Sequence, residues 1–241
     1  MKKIGVLGFC LLVPFLLLSC AAPSPGDTGD ARVENRVENG PFVLVQPSGE
    51  GSMSVEEALD RRISRRQFAP GSLREKELSQ ILWAAQGTSL DGSTGATRTA
   101  PSAGATHPLE VFVVTAGLDE NGEAFPAGIY YFDLQQHELF LVVEGDQREA
   151  LAQAALGQGF VQQAPVSVVI AADYERTTAR YRERGRRYVH MEVGHVTQNI
   201  HLQAEALGLG SVAVGAFEDD RLQALLETEY DPLMIIPIGR L

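Results

Sequence analysis

The stretch Tyr188–Phe217, YVHMEVGHVTQNIHLQAEALGLGSVAVGAF, limits what this chain can fold into more than any other segment. Val189, Val193, Val196, Ile200, Ala204 and Leu207 recur every three or four residues and so share one face of a helix. Glu192, His195, Asn199 and Gln203 repeat at the same steps on another face. An apolar face beside a polar stripe suits a long helix at the centre of a domain. Gly208 and Gly210 predict its end, and Val212, Ala213 and Val214 read as a short buried strand leading into Gly215.

A chain of 241 residues with 44% hydrophobic content is long enough for one substantial core. Its formal charge of -11 argues against nucleic acid as a partner, because neutralising phosphates requires a basic surface. Both cysteines, Cys10 and Cys20, lie at the extreme N-terminus, so the folded part holds neither a disulfide nor a thiol nucleophile. Lys2 and Lys3 precede an apolar run from Ile4 to Leu18, and Leu17-Leu18-Ser19-Cys20 resembles a bacterial lipobox. That resemblance implies removal of residues 1–19 as a signal peptide, lipidation of Cys20, and an exported protein held on a membrane by acyl chains. Residues 20–53 are rich in Pro, Gly, Asp, Asn and Ser and read as a tether or arm, with Val43 to Val45 as a candidate edge strand. The folded domain is expected over 54–241.

Within it, Ser54 and Glu57 form a capping box opening a helix that turns Val55, Ala58 and Leu59 inward. Ser72 and Glu75 suggest a second box, before a helix bearing Leu78, Ile81, Leu82 and Ala85 and ending at Gly87. Ser89 to Ala100 is a polar loop. Val111 to Thr115 is a buried strand, and Gly128 to Asp133 with Glu138 to Val143 form a hairpin. Gln147 to Leu156 is helical, Val166 to Ala171 a strand, Tyr174 to Arg187 a charged helix or helix pair. Asp219 or Asp220 caps a helix through Leu226, and Met234 to Ile238 is a last strand. Helices and strands do not alternate as βαβ units, so an α+β layer structure is expected.

Several chemistries lack their sequence basis. Glu192 and His195 supply half of a di-metal carboxylate motif, and no second Glu-x-x-His accompanies them. There is no G-x-S-x-G elbow, no phosphate-binding P-loop and no G-x-G-x-x-G after a strand. Two features remain. Arg61, Arg62, Arg65 and Arg66 surround Ser64, a set that either caps a helix end or holds a phosphate by guanidinium forks. Pro101 to Pro108 is a run of small residues that a flat ligand can approach closely.

Together, Arg62-Ile63-Ser64-Arg65-Arg66-Gln67-Phe68, Ala100 to Pro108 with Leu109-Glu110-Val111, Glu192-x-Gly194-His195 with Gln198-Asn199, Leu207 to Ser211 and Gly215-Ala216-Phe217 resemble the nitroreductase family, SagB-type branch. The resemblance implies a mixed, mostly antiparallel sheet flanked by helices with a long central helix. It also implies a homodimer with FMN at the subunit interface, NAD(P)H or another reductant as electron donor, and a small organic acceptor. The family's phosphate site falls on Arg62, Ile63, Ser64 and Arg66, its ring-contacting loop on Pro101, Ser102, Ala103 and Gly104, and its reactive-face segment on Val214, Gly215 and Ala216. Arg240 stands in for a basic tail. Chemistry would reside in the flavin, with no catalytic side chain. Where the branch commonly reads Lys-Tyr, a pair associated with azoline oxidation, this chain reads Arg180-Tyr181. An arginine stays protonated and cannot act as the base a lysine can become. A flavin-binding or partner-binding lipoprotein without turnover, and a peptide-modifying azoline dehydrogenase, remain as alternatives.

Overall fold

The computed structural model describes residues 41–88, 98–118 and 125–241. The expected signal peptide, the candidate lipidation site Cys20 and most of the expected tether lie outside the described residues. The backbone builds a seven-stranded sheet in the order β1-β4-β3-β2-β5-β7-β6. Its strands are β1 (Phe42–Val43), β2 (Leu109–Thr115), β3 (Gly128–Asp133), β4 (Glu138–Glu144), β5 (Val166–Ala172), β6 (Leu209–Ser211) and β7 (Asp231–Arg240). Every neighbouring pair is antiparallel.

Central β2 and β5 are buried along their whole length, so they read as apolar runs while their side chains still alternate between two cores. Leu109, Val111 and Val113 of β2, with Val166, Val168 and Ile170 of β5, face α2 (Glu75–Gln86) and α6 (Arg184–Ala206). Phe112 and Val114, with Val169 and Ala171, face the opposite layer of α3 (Arg148–Ala154), α4 (Gly159–Gln163) and α7 (Asp219–Leu225). The expected α+β layers and long helix are therefore present. Val189, Val193, Val196, Ile200 and Ala204 of α6 all lie in the first core.

Several local expectations need correction. In α1 (Val55–Arg61), capped by Ser54 as expected, only Ala58 is buried, and Val55 and Leu59 point outward with 66% and 53% of their surface exposed. The second cap is built at Arg74, whose N–H donates to Glu77 Oε2 at 2.8 Å, because Glu77 is the carboxylate three residues on. The charged segment after β5 is two helices, α5 (Tyr174–Tyr181) and α6, broken at Arg182 by a φ of 53°. Helix α7 is preceded by Glu218 in the capping position, with Asp219 and Asp220 in its first turn. After Gly208 (φ 70°), regular strand pairing falls on Leu209–Ser211, three residues earlier than the apolar Val212–Val214 run suggests; beyond it Val212 N–H still donates to Pro237 O and Val214 forms a bridge with Ile235.

The arm is docked in its described part. Leu44 is buried in the first core, Val45 N–H donates to Glu75 Oε1, and Ser48 and Gln80 bond each other's polar groups.

Candidate functional site

Two clusters lie along α6, and they differ in position and in charge. The first surrounds its C-terminal end. The chain leaving α1 runs beside β6, where Ser64 forms a parallel bridge with Ser211 and Arg65 N–H donates to Ser211 O at 3.0 Å. Below them, His201 Nδ1 and Ser211 Oγ are 2.7 Å apart and both residues are buried. Burial, followed by the nearby Arg62 guanidinium, lowers the His201 pKa, so the ring is neutral and holds Ser211 as one end of a hydrogen bond.

The arginines of this segment divide sharply. Arg61 pairs with Glu57, and Arg65 pairs with buried Glu205 at 2.7 Å. Arg62 and Arg66 make no ion pair among the described residues. Arg66 instead lies 5.8 Å from the centre of the Phe160 ring. Two residues before Phe160, Gln158 Nε2 donates to Ala216 O at 3.0 Å. Arg66 and Ala216 are thus linked through Phe160 and Gln158 at the start of α4, and Ser64 lies beside β6, from which the chain runs on to Val214, Gly215 and Ala216. Sequence reasoning missed Gln158 and Phe160, which lie far along the chain and belong to no motif.

Gly215 and Ala216 are exposed, and among the described residues their backbone N–H groups find no acceptor in the chain. A Cβ added at Gly215 would meet nothing within 4 Å. The chain's own packing therefore does not require a glycine there, and the space is open to something else.

The second cluster lies toward the other end of α6. Asn199 Nδ2 donates to Ala84 O and Thr99 O, which fixes the start of the 99–107 loop. Ser102 Oγ accepts from His107 N–H, and Thr106 and Thr177 hydroxyls are 2.8 Å apart. Arg180 Nη1 donates to Gly104 O at 3.0 Å. Beneath the loop, Glu192 is 2% exposed, and burial raises its pKa against the opposing pull of Ser102, Arg98, Gln86 and His195. Its Oε1 and the neighbouring Gln86 Nε2 close no hydrogen bond, which favours a protonated carboxyl. His107 is pushed down to about 4 by burial and by Arg98 and Arg176.

Within one chain these clusters do not meet. At a rise of about 1.5 Å per residue, the helix from Glu192 to Glu205 covers about 20 Å. Among the described residues no hydrogen bond, ion pair or ring contact joins Pro101, Ser102, Ala103 and Gly104 to Arg62, Ile63, Ser64 and Arg66. Arg240 is also elsewhere: its guanidinium nitrogens bond both oxygens of buried Glu77, at 2.8 and 2.7 Å. Burial raises the Glu77 pKa, but Arg240 and Arg74 outweigh it and hold the carboxyl below its ordinary range. A phosphate would have to compete with that carboxylate for Arg240.

A profile of the nitroreductase family matches residues 59–240. The chain belongs to the nitroreductase family. It is 42% identical over 191 residues to a protein of Methanocaldococcus jannaschii designated a nitroreductase, covering 78% of this chain and 91% of that one. A crystal structure designated a nitroreductase, from Ralstonia eutropha JMP134, superposes with a TM-score of 0.71 at 28% identity, covering 83% and 89% of the two chains. Trifolitoxin operon protein TfxC of Rhizobium leguminosarum bv. trifolii is 29% identical over 209 residues, which are 81% of this chain and 58% of that protein. For a nitroreductase, a family of flavin oxidoreductases, the first cluster has suitable parts. It combines two arginines without carboxylates, an exposed Ser64 and an open glycine beside free N–H donors, so its donor set fits an anionic tail and a flat ring.

Proposed function

We propose that the protein is an FMN-dependent oxidoreductase that acts as a homodimer and passes hydride or electrons to a small organic acceptor. The reading rests chiefly on Arg62 and Arg66, left without carboxylates in an acidic chain, beside the open Gly215 and Ala216 N–H groups. Arg62, Ser64 and Arg66, with the backbone at Ile63, would hold the phosphate. The Val214–Ala216 backbone would face the ring, its N–H groups placed to stabilise negative charge there. When bound, FMN supplies two-electron chemistry, with NAD(P)H or another reductant as the source. No side chain is then needed as an acid or base.

A second subunit would account for two candidate segments that make no contact within one chain. Pro101–Gly104 would reach a ring held by the other copy's Arg62–Arg66 segment. Val55, Leu59, Ile63 and Met191 support this, being exposed by 51–66% on α1, its following turn and α6. Gly194 supports it too: it lies mid-helix, exposed, with nothing within 4 Å of an added Cβ, so the chain's own packing gives no reason for it. Lipidation at Cys20 would place the dimer at an extracytoplasmic membrane surface, and the sequence Leu17-Leu18-Ser19-Cys20 carries that part alone.

The absorbance spectrum of protein purified with added FMN tests the central claim. A stoichiometric yellow complex, bleached by a reductant and recoloured by a nitroaromatic or quinone acceptor, is expected. A colourless protein, after equilibration with excess FMN, would remove the reading. Likeness to trifolitoxin operon protein TfxC supports a second reading, in which a peptide is the electron donor, giving a hydride to the flavin and losing a proton, and the small acceptor reoxidises the flavin. Mass loss of two hydrogens from an azoline-containing peptide would select it. Arg180 weighs against it, since the guanidinium cannot act as a base.

A further inference from the structure

Arginines in this protein fall into two groups. Arg65, Arg74, Arg148, Arg176 and Arg240 each close on a carboxylate within 4 Å. In a chain with 31 acidic against 20 basic residues, an arginine lacking such a partner is informative. Apart from Arg62, Arg66 and Arg98, which donates to Gln86 Oε1, the arginines without an ion pair among the described residues gather where α5 meets α6. Among the described residues, Arg180 and Arg184 make no ion pair and contact tyrosines instead.

The local geometry is fitted. The Arg180 guanidinium lies 5.4 Å from the centre of the Tyr181 ring, and the Arg184 guanidinium 5.9 Å from that of Tyr188, whose hydroxyl accepts from Arg184 Nε at 3.1 Å. The two rings meet edge to face, 5.0 Å between centres at 89°. Arg180 also donates one N–H to Gly104 O and leaves the rest of its fork exposed. Gly104 itself has a φ of 62°, and a Cβ there would come within 2.8 Å of Arg180 Nη1 and nearer still to the Tyr181 hydroxyl. A side chain at 104 would have to displace the ends of Arg180 and Tyr181, and the φ of 62° itself favours glycine.

We infer that Arg180, with Arg184, Tyr181 and Tyr188, recognises the carboxylate of a planar aromatic electron acceptor. This rests on the flavin reading, because Gly104 belongs to the loop assigned to the ring. A guanidinium fork matches a carboxylate with two parallel hydrogen bonds, and tyrosine faces and edges beside it suit a flat ring rather than an extended headgroup. The arginine that replaces the branch's lysine thus sets which acceptor is chosen, and its fixed charge is what that role requires.

The test uses FMN-loaded full-length protein, with 4-nitrobenzoate and neutral nitrobenzene as paired acceptors. Binding is followed by perturbation of the flavin spectrum and turnover by steady-state kinetics. Arg180→Gln is expected to reduce the preference for 4-nitrobenzoate over nitrobenzene about tenfold, mostly through KM, as the loss of one charge-assisted contact predicts. Arg180→Lys should restore only part of it, and Arg148→Gln, in α3 and paired with Asp146, should leave the preference unchanged. Equal losses for both acceptors would mean that Arg180 only supports the loop, and would overturn the inference. So would a raised KM for NADPH or NADH with the acceptor preference intact, since the anion would then be the donor's phosphate. Binding to phosphatidylglycerol vesicles that depends on Arg180, again with preference intact, would overturn it in favour of a lipid surface. If no FMN binds, the flavin reading fails by itself. Ligand-observed NMR of 4-nitrobenzoate with the flavin-free protein and Arg180→Gln then decides whether the carboxylate site exists.

Discussion

Arg65 and Arg66 follow one another in the chain, yet Arg65 turns inward to Glu205 at 2.7 Å while Arg66 stays exposed above Phe160. The same contrast separates Arg176, paired with Glu110, from Arg180, which meets only a carbonyl and a ring. An inward arginine answers a carboxylate the fold has already buried, and its role is stability. An outward arginine kept free of carboxylates in an acidic protein is available to a ligand. Neighbouring residues of one type thus hold different functions, and the partner, more than the residue, tells them apart.

The contrast can be broken at its strongest point first. Changing Arg62 and Arg66 together to alanine should weaken FMN binding by two orders of magnitude or more, taking roughly 1.5–3 kcal/mol for each charge-assisted contact. Fluorescence titration of FMN would check it, and an unchanged Kd would return both arginines to the solvated surface. Arg65→Ala should behave oppositely, leaving Glu205 buried without its partner at a cost of about 3 kcal/mol in urea-unfolding stability. Should FMN affinity fall while stability holds, the division between inward and outward arginines is wrong.

Smaller effects sharpen the picture along α6. Gly194→Leu should favour the helix by about 0.5–1 kcal/mol in the isolated protomer, since glycine is a poor helix residue, yet shift the protein toward monomer in sedimentation. A dimer of undiminished strength would show that the second copy docks elsewhere. The smallest effect concerns Glu192, whose pKa is raised by burial. A carboxyl that holds its proton more tightly folded than unfolded favours the native state fully at low pH, and that advantage is lost as pH rises through the folded pKa. Glu192→Gln should therefore match the parent near pH 3 and exceed it in stability at pH 8. A difference independent of pH would mean that folding does not raise the Glu192 pKa.

Much of the architecture was legible because it depends on periodicity. The apolar steps from Val189 to Ala204 mark a buried helix face, and the runs in β2 and β5 mark strands covered on both sides. What periodicity missed was set by partners distant in sequence. Val55 and Leu59 look like an inward face, but α1 carries its apolar stripe outward. Val212–Val214 has the more strand-like side chains and does bond β7 at Val212 and Val214, but the regular ladder lies at Leu209–Ser211, which no side-chain pattern marks. The site shows the same pattern. Motifs pick out the Arg62–Arg66 and Pro101–Gly104 segments, but no spacing reveals that Glu77 holds Arg240, or that Gln158 reaches Ala216.

The docking of Leu44 bears on where this domain can be cut. Leu44 is 2% exposed, and Phe42 and Val43 pair with β4, so the folded body begins well ahead of its first helix. A fragment opened at Ser54 would uncover the side of α2 that Leu44 seals and leave Glu75 and Gln80 without their bonds to the arm. Recombinant versions shortened at the N-terminus should therefore retain everything from Pro41 onward.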